Sequence, residues 1–161
     1  MPETVTIDHL CRHPEHIPRV ASWIHGAFWT RSGTGVETVV ALLHEADDPD
    51  RIPLSLLAVA GHEPAGTVQL IVCDSKARPD LTPWLAALYV DPTRRGKRIG
   101  ASLVGRLVTE AIRLGYTEVF LETDIPEFYA PLGATRHEPL ADGGWIMRMD
   151  VREVAIARRT P

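Results

Sequence analysis

LAALYVDPTRRGKRIGASLVGRL, residues 85–107, decides the fold of this chain. Leu85-Ala86-Ala87-Leu88-Tyr89-Val90 is an apolar run that predicts a strand buried on both faces. Asp91-Pro92 ends it, because Pro has no N–H to give to a ladder. A basic turn follows, Thr93-Arg94-Arg95-Gly96-Lys97-Arg98. Ile99, Leu103 and Leu107 then recur at i+4, and Val104, Val108, Ala111 and Ile112 widen the stripe into an amphipathic helix. Gly115 is its stop signal. A strand, a glycine-containing turn and a helix N-terminus in that order make an anion site. The first helical N–H groups have no intrahelical acceptor, and Gly96 and Gly100 let a ligand approach the backbone. Arg94, Arg95, Lys97 and Arg98 add charge, so the anion expected is a polyphosphate.

The run Arg95-Gly96-Lys97-Arg98-Ile99-Gly100-Ala101 resembles the acetyl-CoA pyrophosphate loop of the GNAT N-acetyltransferases, Arg/Gln-x-x-Gly-x-Gly/Ala. Leu88-Tyr89-Val90-Asp91-Pro92 looks like that family's central strand and its exit. Arg98 stands where the pattern has its first glycine. An L-residue fits there if its dihedrals are helical and its side chain leaves the pyrophosphate path. Farther along, Phe128-Tyr129-Ala130-Pro131-Leu132-Gly133-Ala134 resembles the family's second landmark, Phe-Tyr-x-x-x-Gly-Phe and its Leu-Gly variants, with Ala134 in place of the usual aromatic.

The remaining chain is read by periodicity and turn residues. Thr4–Leu10 is a strand. A helix starts near Pro14 and runs to about Trp29, with Ile17, Val20, Ala21, Ile24 and Phe28 on one face. Val36–Ala46 is a second helix. Leu54–Ala60 and Thr67–Cys73 form a hairpin around the turn Gly61–Gly66. Asp74–Asp80 is a polar loop. Glu118–Glu122 is a strand, Ile125–Pro131 a short helical segment, and Gly133–Pro139 and Trp145–Val151 the last two strands. The order is β-α-α-β-β-β-α-β-α-β-β. It predicts an α/β (α+β) mixed sheet flanked by helices on both faces, with Leu85–Val90 parallel to Glu118–Glu122. That is also the order of the GNAT fold, and the resemblance spans most of residues 4–150. One domain is expected over 1–152, with 153–161 as a tail.

With 161 residues, 45% of them apolar and 24% charged, the chain can bury a full core. A net charge of -4 argues against general nucleic-acid binding. Two cysteines, Cys11 and Cys73, do not make a disulfide framework and fit a reduced compartment. No apolar run reaches membrane-span length, and the N-terminus does not read as a signal peptide. The expected location is the cytoplasm, with no membrane or nucleic-acid partner. Asp8, His9, Cys11, His13 and His16 carry metal-ligand chemistry at spacing that does not converge, so no metal is expected.

The resemblance implies an acetyl-CoA-dependent N-acetyltransferase in which a neutral amine attacks the acetyl carbonyl directly. It implies cofactor contacts from Leu88, Tyr89 and Val90 on the strand. In the loop it implies them from Arg95, Gly96, Lys97, Arg98, Ile99, Gly100, Ala101 and Ser102. Tyr129 becomes the general acid for the leaving thiolate. The central strand carries no carboxylate, so Glu122 is the first side-chain candidate for general base, ahead of Asp124 and Asp80. Trp29, Arg31 and Trp84 are expected near the acceptor, a small-molecule or peptide amine. A homodimer through an edge strand is possible. The alternative is a CoA-binding sensor or interaction module of the same fold without transferase activity.

Overall fold

The computed structural model describes residues 3–159. Its strands are β1 (Val5–His9), β2 (Leu54–Ala60), β3 (Glu63–Ile71), β4 (Trp84–Val90), β5 (Glu118–Thr123), β6 (Ala134–Pro139) and β7 (Trp145–Asp150). Its helices are α1 (Ile17–Ile24), α2 (Val36–Glu45), α3 (Ile99–Arg113), α4 (Pro126–Tyr129) and α5 (Val151–Arg159). The strands form one seven-stranded sheet in the order β1-β2-β3-β4-β5-β7-β6. β4 and β5 are parallel, as a strand–helix–strand crossover requires, while β1 on β2, β5 on β7 and β6 on β7 are antiparallel. The mixed sheet with flanking helices is the one the element order predicts. Among the described residues no helix is long and apolar enough to cross a membrane.

The chain divides into two compact units. The first holds the residues up to Gln69 together with Ala87–Leu103. Ile17, Val20, Ala21 and Ile24 of α1 recur at three and four, and this stripe packs with Val39 and Leu43 of α2 and Leu57 of β2. α1 runs on through a π-helical turn, His25–Trp29, as far as the expected helix end, but the change of pitch turns Phe28 out to solvent, so the buried stripe stops at Ile24. The turn between β2 and β3 is only Gly61-His62, with Gly61 at φ +63. Glu63 to Gly66, expected as turn, belong to β3. Ala65 pairs there, its carbonyl accepting the Asp91 N–H at 2.8 Å.

The second unit holds Leu70–Ala86 and the described chain from Val104 on. Trp84, Phe120 and Ile146 make a core cluster with Ile71, Leu81 and Leu140 against it. Of the tail expected over 153–161, residues 153–159 belong to helix α5. Asp150 caps it, accepting from the N–H groups of Arg152 (3.0 Å) and Glu153 (3.1 Å). Val151 and Val154, three residues apart, are buried and hold it down. Residues 160–161 of the expected tail lie outside the described residues.

Candidate functional site

β4 changes character along its length. Trp84, Leu85 and Ala86 are buried, whereas Ala87, Leu88, Tyr89 and Val90 are only half-buried. The strand is therefore not buried on both faces throughout, as its apolar sequence suggested. Ala87 sits at φ +50, in the left-handed region that a residue with a Cβ enters at a cost of roughly 1–3 kcal/mol. The extended backbone is interrupted at the boundary between the two halves. Tyr89 stacks on Trp23 of α1 with ring centroids 5.5 Å apart.

The turn after β4 is built by Asp91 and Pro92. Asp91 accepts from the Thr93 N–H at 2.9 Å and its hydroxyl at 2.7 Å, closing a short 3-10 turn over Pro92–Arg94. These bonds hold the Asp91 carboxyl below its ordinary pKa. Gly96 then takes φ +83, and a Cβ built there would meet nothing within 4 Å, so space is open beside the loop. Arg98 sits at φ +62, not in the right-handed helical region expected of an L-residue at this place. Its carbonyl accepts the first α3 bond, from Ser102 N–H at 3.0 Å. The N–H groups of Ile99, Gly100 and Ala101 are thus left at the free end of a 15-residue helix.

The four cations of the turn divide into two pairs. Arg94 forms an ion pair with Glu3. Arg95 donates from Nε to the Val90 carbonyl at 3.0 Å, with its guanidinium 5.5 Å from the Tyr89 ring centroid. Lys97 and Arg98 are exposed and make no ion pair or hydrogen bond through their side chains among the described residues. Open space, free helix N–H groups and two uncommitted cations are what a polyphosphate requires.

In the second unit, Tyr129 is 8% exposed, its ring edge-on to Phe128 at 4.9 Å. Burial pushes the phenol up to about 12. Among the described residues its hydroxyl has no hydrogen-bond partner. Glu122 is exposed on β5, opposite Ile146 of β7. Asp74, in the loop after β3, was not singled out by the sequence. Asp74 is an exposed residue, yet much of the surrounding protein lies close to its carboxyl. Lost hydration, and then the Glu122 charge, raise it to about 6. The only sequence signal was an acidic residue directly after a strand end, which is common and unspecific.

Two expectations change here. Trp84 has no exposed surface, donates its indole N–H to the Leu81 carbonyl at 2.6 Å, and stacks on Phe120 at 5.8 Å. It is a core residue and offers no face to an acceptor. Asp80 is held by two bonds from Arg78, at 2.8 and 3.0 Å, which lower it to about 2. A carboxylate so weakly basic makes a poor proton acceptor. Trp29 is half-buried against the α1–α2 cluster, and Arg31 is exposed in the turn that follows. Asp124 flanks the end of β5. Among the described residues no group of three or more His, Cys, Asp or Glu is placed to hold a metal. Asp8 is occupied by Arg12 at 2.6 Å and His13 at 3.0 Å.

The chain belongs to the acetyltransferase (GNAT) family, whose profile matches residues 18–133. It is similar in fold to aminoglycoside 6'-acetyltransferase type Ii, with TM-score 0.70 and 22% identity over 91% of this chain and 97% of that one. The PaiA N-acetyltransferase of Thermoplasma acidophilum, solved with coenzyme A, superposes with TM-score 0.69 at 19% identity over 91% and 99%. A spermidine N-acetyltransferase chimera from Vibrio cholerae and hSSAT gives 0.72 at 12% identity over 94% and 98%. These identities speak to the fold alone. No curated protein sequence gives a significant match.

Proposed function

We propose that this protein moves the acetyl group of acetyl-CoA to a primary amine by direct attack, without an acetylated enzyme intermediate. The observation that carries the reading is the loop at the α3 N-terminus, with its free N–H groups, open Gly96 and uncommitted Lys97 and Arg98, following the half-exposed end of β4.

Acetyl-CoA, when bound, supplies the activated thioester. The chain's residues divide the remaining work. Loop N–H groups from Gly96 to Ala101 hold the pyrophosphate with the Ser102 hydroxyl beside them, and backbone groups of Leu88 and Val90, on either side of Tyr89, take the pantetheine arm. The acceptor arrives as an ammonium ion, near pKa ~10.4 for a free alkylamine, and must lose a proton before its nitrogen can attack. Glu122 and Asp74 are the carboxylates that accept it. Asp74, at about 6, is better matched to neutral pH than an ordinary aspartate. As the C–N bond forms and the C–S bond breaks, the thiolate takes a proton from the Tyr129 hydroxyl, and the second proton shed by the acceptor nitrogen, passed on through solvent, restores the phenol. A phenol at about 12 stays protonated at every working pH, but burial also makes it a weaker acid, so the transfer depends on the charge that builds on the sulfur as the C–S bond breaks. The family resemblance assigns Trp29 and Arg31 to the acceptor's side. The acceptors named for the aminoglycoside and spermidine enzymes carry several amines, which would suit the paired carboxylates.

The test is calorimetry with acetyl-CoA, using ATP and NAD as controls, on the wild type and on Gly100→Asp. An amine panel that includes aminoglycosides and spermidine follows, with Tyr129→Phe beside the wild type. Selective binding that weakens in Gly100→Asp, and turnover that falls in Tyr129→Phe with binding intact, is the expected result. Binding without turnover on any amine would turn the reading to a CoA-binding module. No binding at millimolar cofactor would overturn it.

A further inference from the structure

We propose that Arg98 is an added phosphate-recognising residue of the cofactor loop, its guanidinium meeting a phosphate of coenzyme A that backbone N–H groups alone would otherwise hold. The inference rests on the acetyl-CoA reading above and goes beyond it in assigning a side-chain role where the family pattern has none.

Three observations converge on Arg98. It occupies the pattern's glycine position at φ +62, a conformation that glycine or asparagine adopts at far less cost. Its side chain is exposed and has no partner among the described residues. The neighbouring arginines are committed elsewhere, Arg94 to Glu3 and Arg95 to Val90 and Tyr89. Arg94 and Arg95 therefore shape the turn, and ligand charge falls to Arg98 and Lys97. Of the two, the arginine has the planar fork that engages phosphate oxygens two at a time, whereas lysine acts as a point charge. Coenzyme A offers two such partners, its pyrophosphate and its ribose 3'-phosphate.

The experiment measures acetyl-CoA binding by calorimetry over a range of salt concentrations. Arg98→Asn removes the guanidinium but tolerates the left-handed backbone, and Arg98→Gly restores the family residue. Arg94→Ala is the control for charge loss from the same turn. Both Arg98 variants are expected to raise Kd about five- to tenfold, as loss of one charge-assisted contact would. They should also flatten its salt dependence without lowering Tm. Arg94→Ala should leave the salt dependence as in the wild type. Repeating the series with dephospho-CoA locates the partner. If the penalty disappears, the partner is the 3'-phosphate; if it persists, the pyrophosphate. Arg98 variants that bind within twofold of the wild type, with the same salt dependence, would overturn the assignment while the acetyl-CoA reading stands. A wild type that binds no coenzyme A would instead remove that reading.

Discussion

Gly66 on β3 lies so close to Tyr89 on β4 that a Cβ added to it would sit 2.9 Å from the Tyr89 carbonyl oxygen. The same Cβ would meet Leu103 Cδ1 of α3 at 3.1 Å. A leucine methyl can yield, but a backbone oxygen in a ladder cannot, and the 2.8 Å bond from Asp91 N–H to Ala65 pins the strands beside it. Gly66→Ala is therefore expected to cost ~1–3 kcal/mol. In a chain of this length that is a Tm lower by roughly 3–10 °C, read by thermal circular dichroism. An unchanged Tm would mean that the strands part easily here.

Asp74 should write itself into both rate and stability. Its folded pKa, about 6, lies above the ordinary aspartate value. The folded state thus binds this proton more tightly than the unfolded state does. The sign follows: this carboxyl costs no stability at pH 4 and becomes a penalty as pH rises from about 4 through about 6. Asp74→Asn should raise Tm at pH 7.5 and leave it unchanged at pH 4. If Asp74 takes the acceptor's proton, wild-type turnover should climb with pH through a limb near 6, and Asp74→Asn should lose both the limb and at least tenfold in kcat. A variant with wild-type kcat would leave the proton to Glu122 or to water.

Tyr129 makes a contrasting prediction. With its phenol near 12, it should add no falling limb to the pH profile anywhere in the stable range of the protein. Tyr129→Phe should lower kcat about 10²-fold, the low end for a lost general acid, with little change in acetyl-CoA affinity. A falling alkaline limb that vanishes in Tyr129→Phe would contradict the burial seen here.

The loop around Arg78 is tied by charge. Arg78 donates to Asp80 and, at 2.8 Å, to Glu138 of β6, sixty positions away in sequence. Arg78→Gln should let the Asp80 pKa rise from about 2 toward its ordinary value, observable by NMR titration of the side-chain carboxyl. A folded pKa below the unfolded one gives stability above the unfolded value that is lost as pH falls toward 2. Acid unfolding of Arg78→Gln should therefore lose one of the protonations that drive it. An Asp80 that still titrates near 2 in the variant would place the cause in its own backbone.

Much of this was legible in the sequence because the signals were local. The apolar run into Asp91-Pro92, the i+4 stripe from Ile99 and the Phe128-Tyr129 motif each act within a few residues, and they fell on β4, α3 and α4. What failed to show depended on distant partners. The sequence does not reveal that Trp84 turns inward, because that depends on Phe120 and Ile146. Asp74 looks like any loop aspartate until Glu122 is placed near it. The left-handed Arg98 has no signature at all, since propensity argues for glycine there. α5 does carry a local signal: Asp150-Val151-Arg152-Glu153 has the spacing of a capping box.

α5 bears on the second motif directly. A Cβ on Gly133 would lie 2.6 Å from Val154 Cγ2, and Gly133 is at φ +104, so the motif's glycine is where this helix rests. Val151 N–H also reaches the Thr117 carbonyl at 3.2 Å, fastening the helix start to the chain just before β5. Val154→Ala should cost roughly 1–3 kcal/mol for the buried methyls, and Asp150→Ala about 1 kcal/mol for the lost cap. Gly133→Ala should cost more than either, through both collision and backbone strain. Combined with Val154→Ala it should recover the collision part and keep the strain, so the double mutant is expected to be more stable than the sum of the singles. Chemical denaturation of the four proteins measures this. Strict additivity would show that α5 lies over Gly133 without bearing on it.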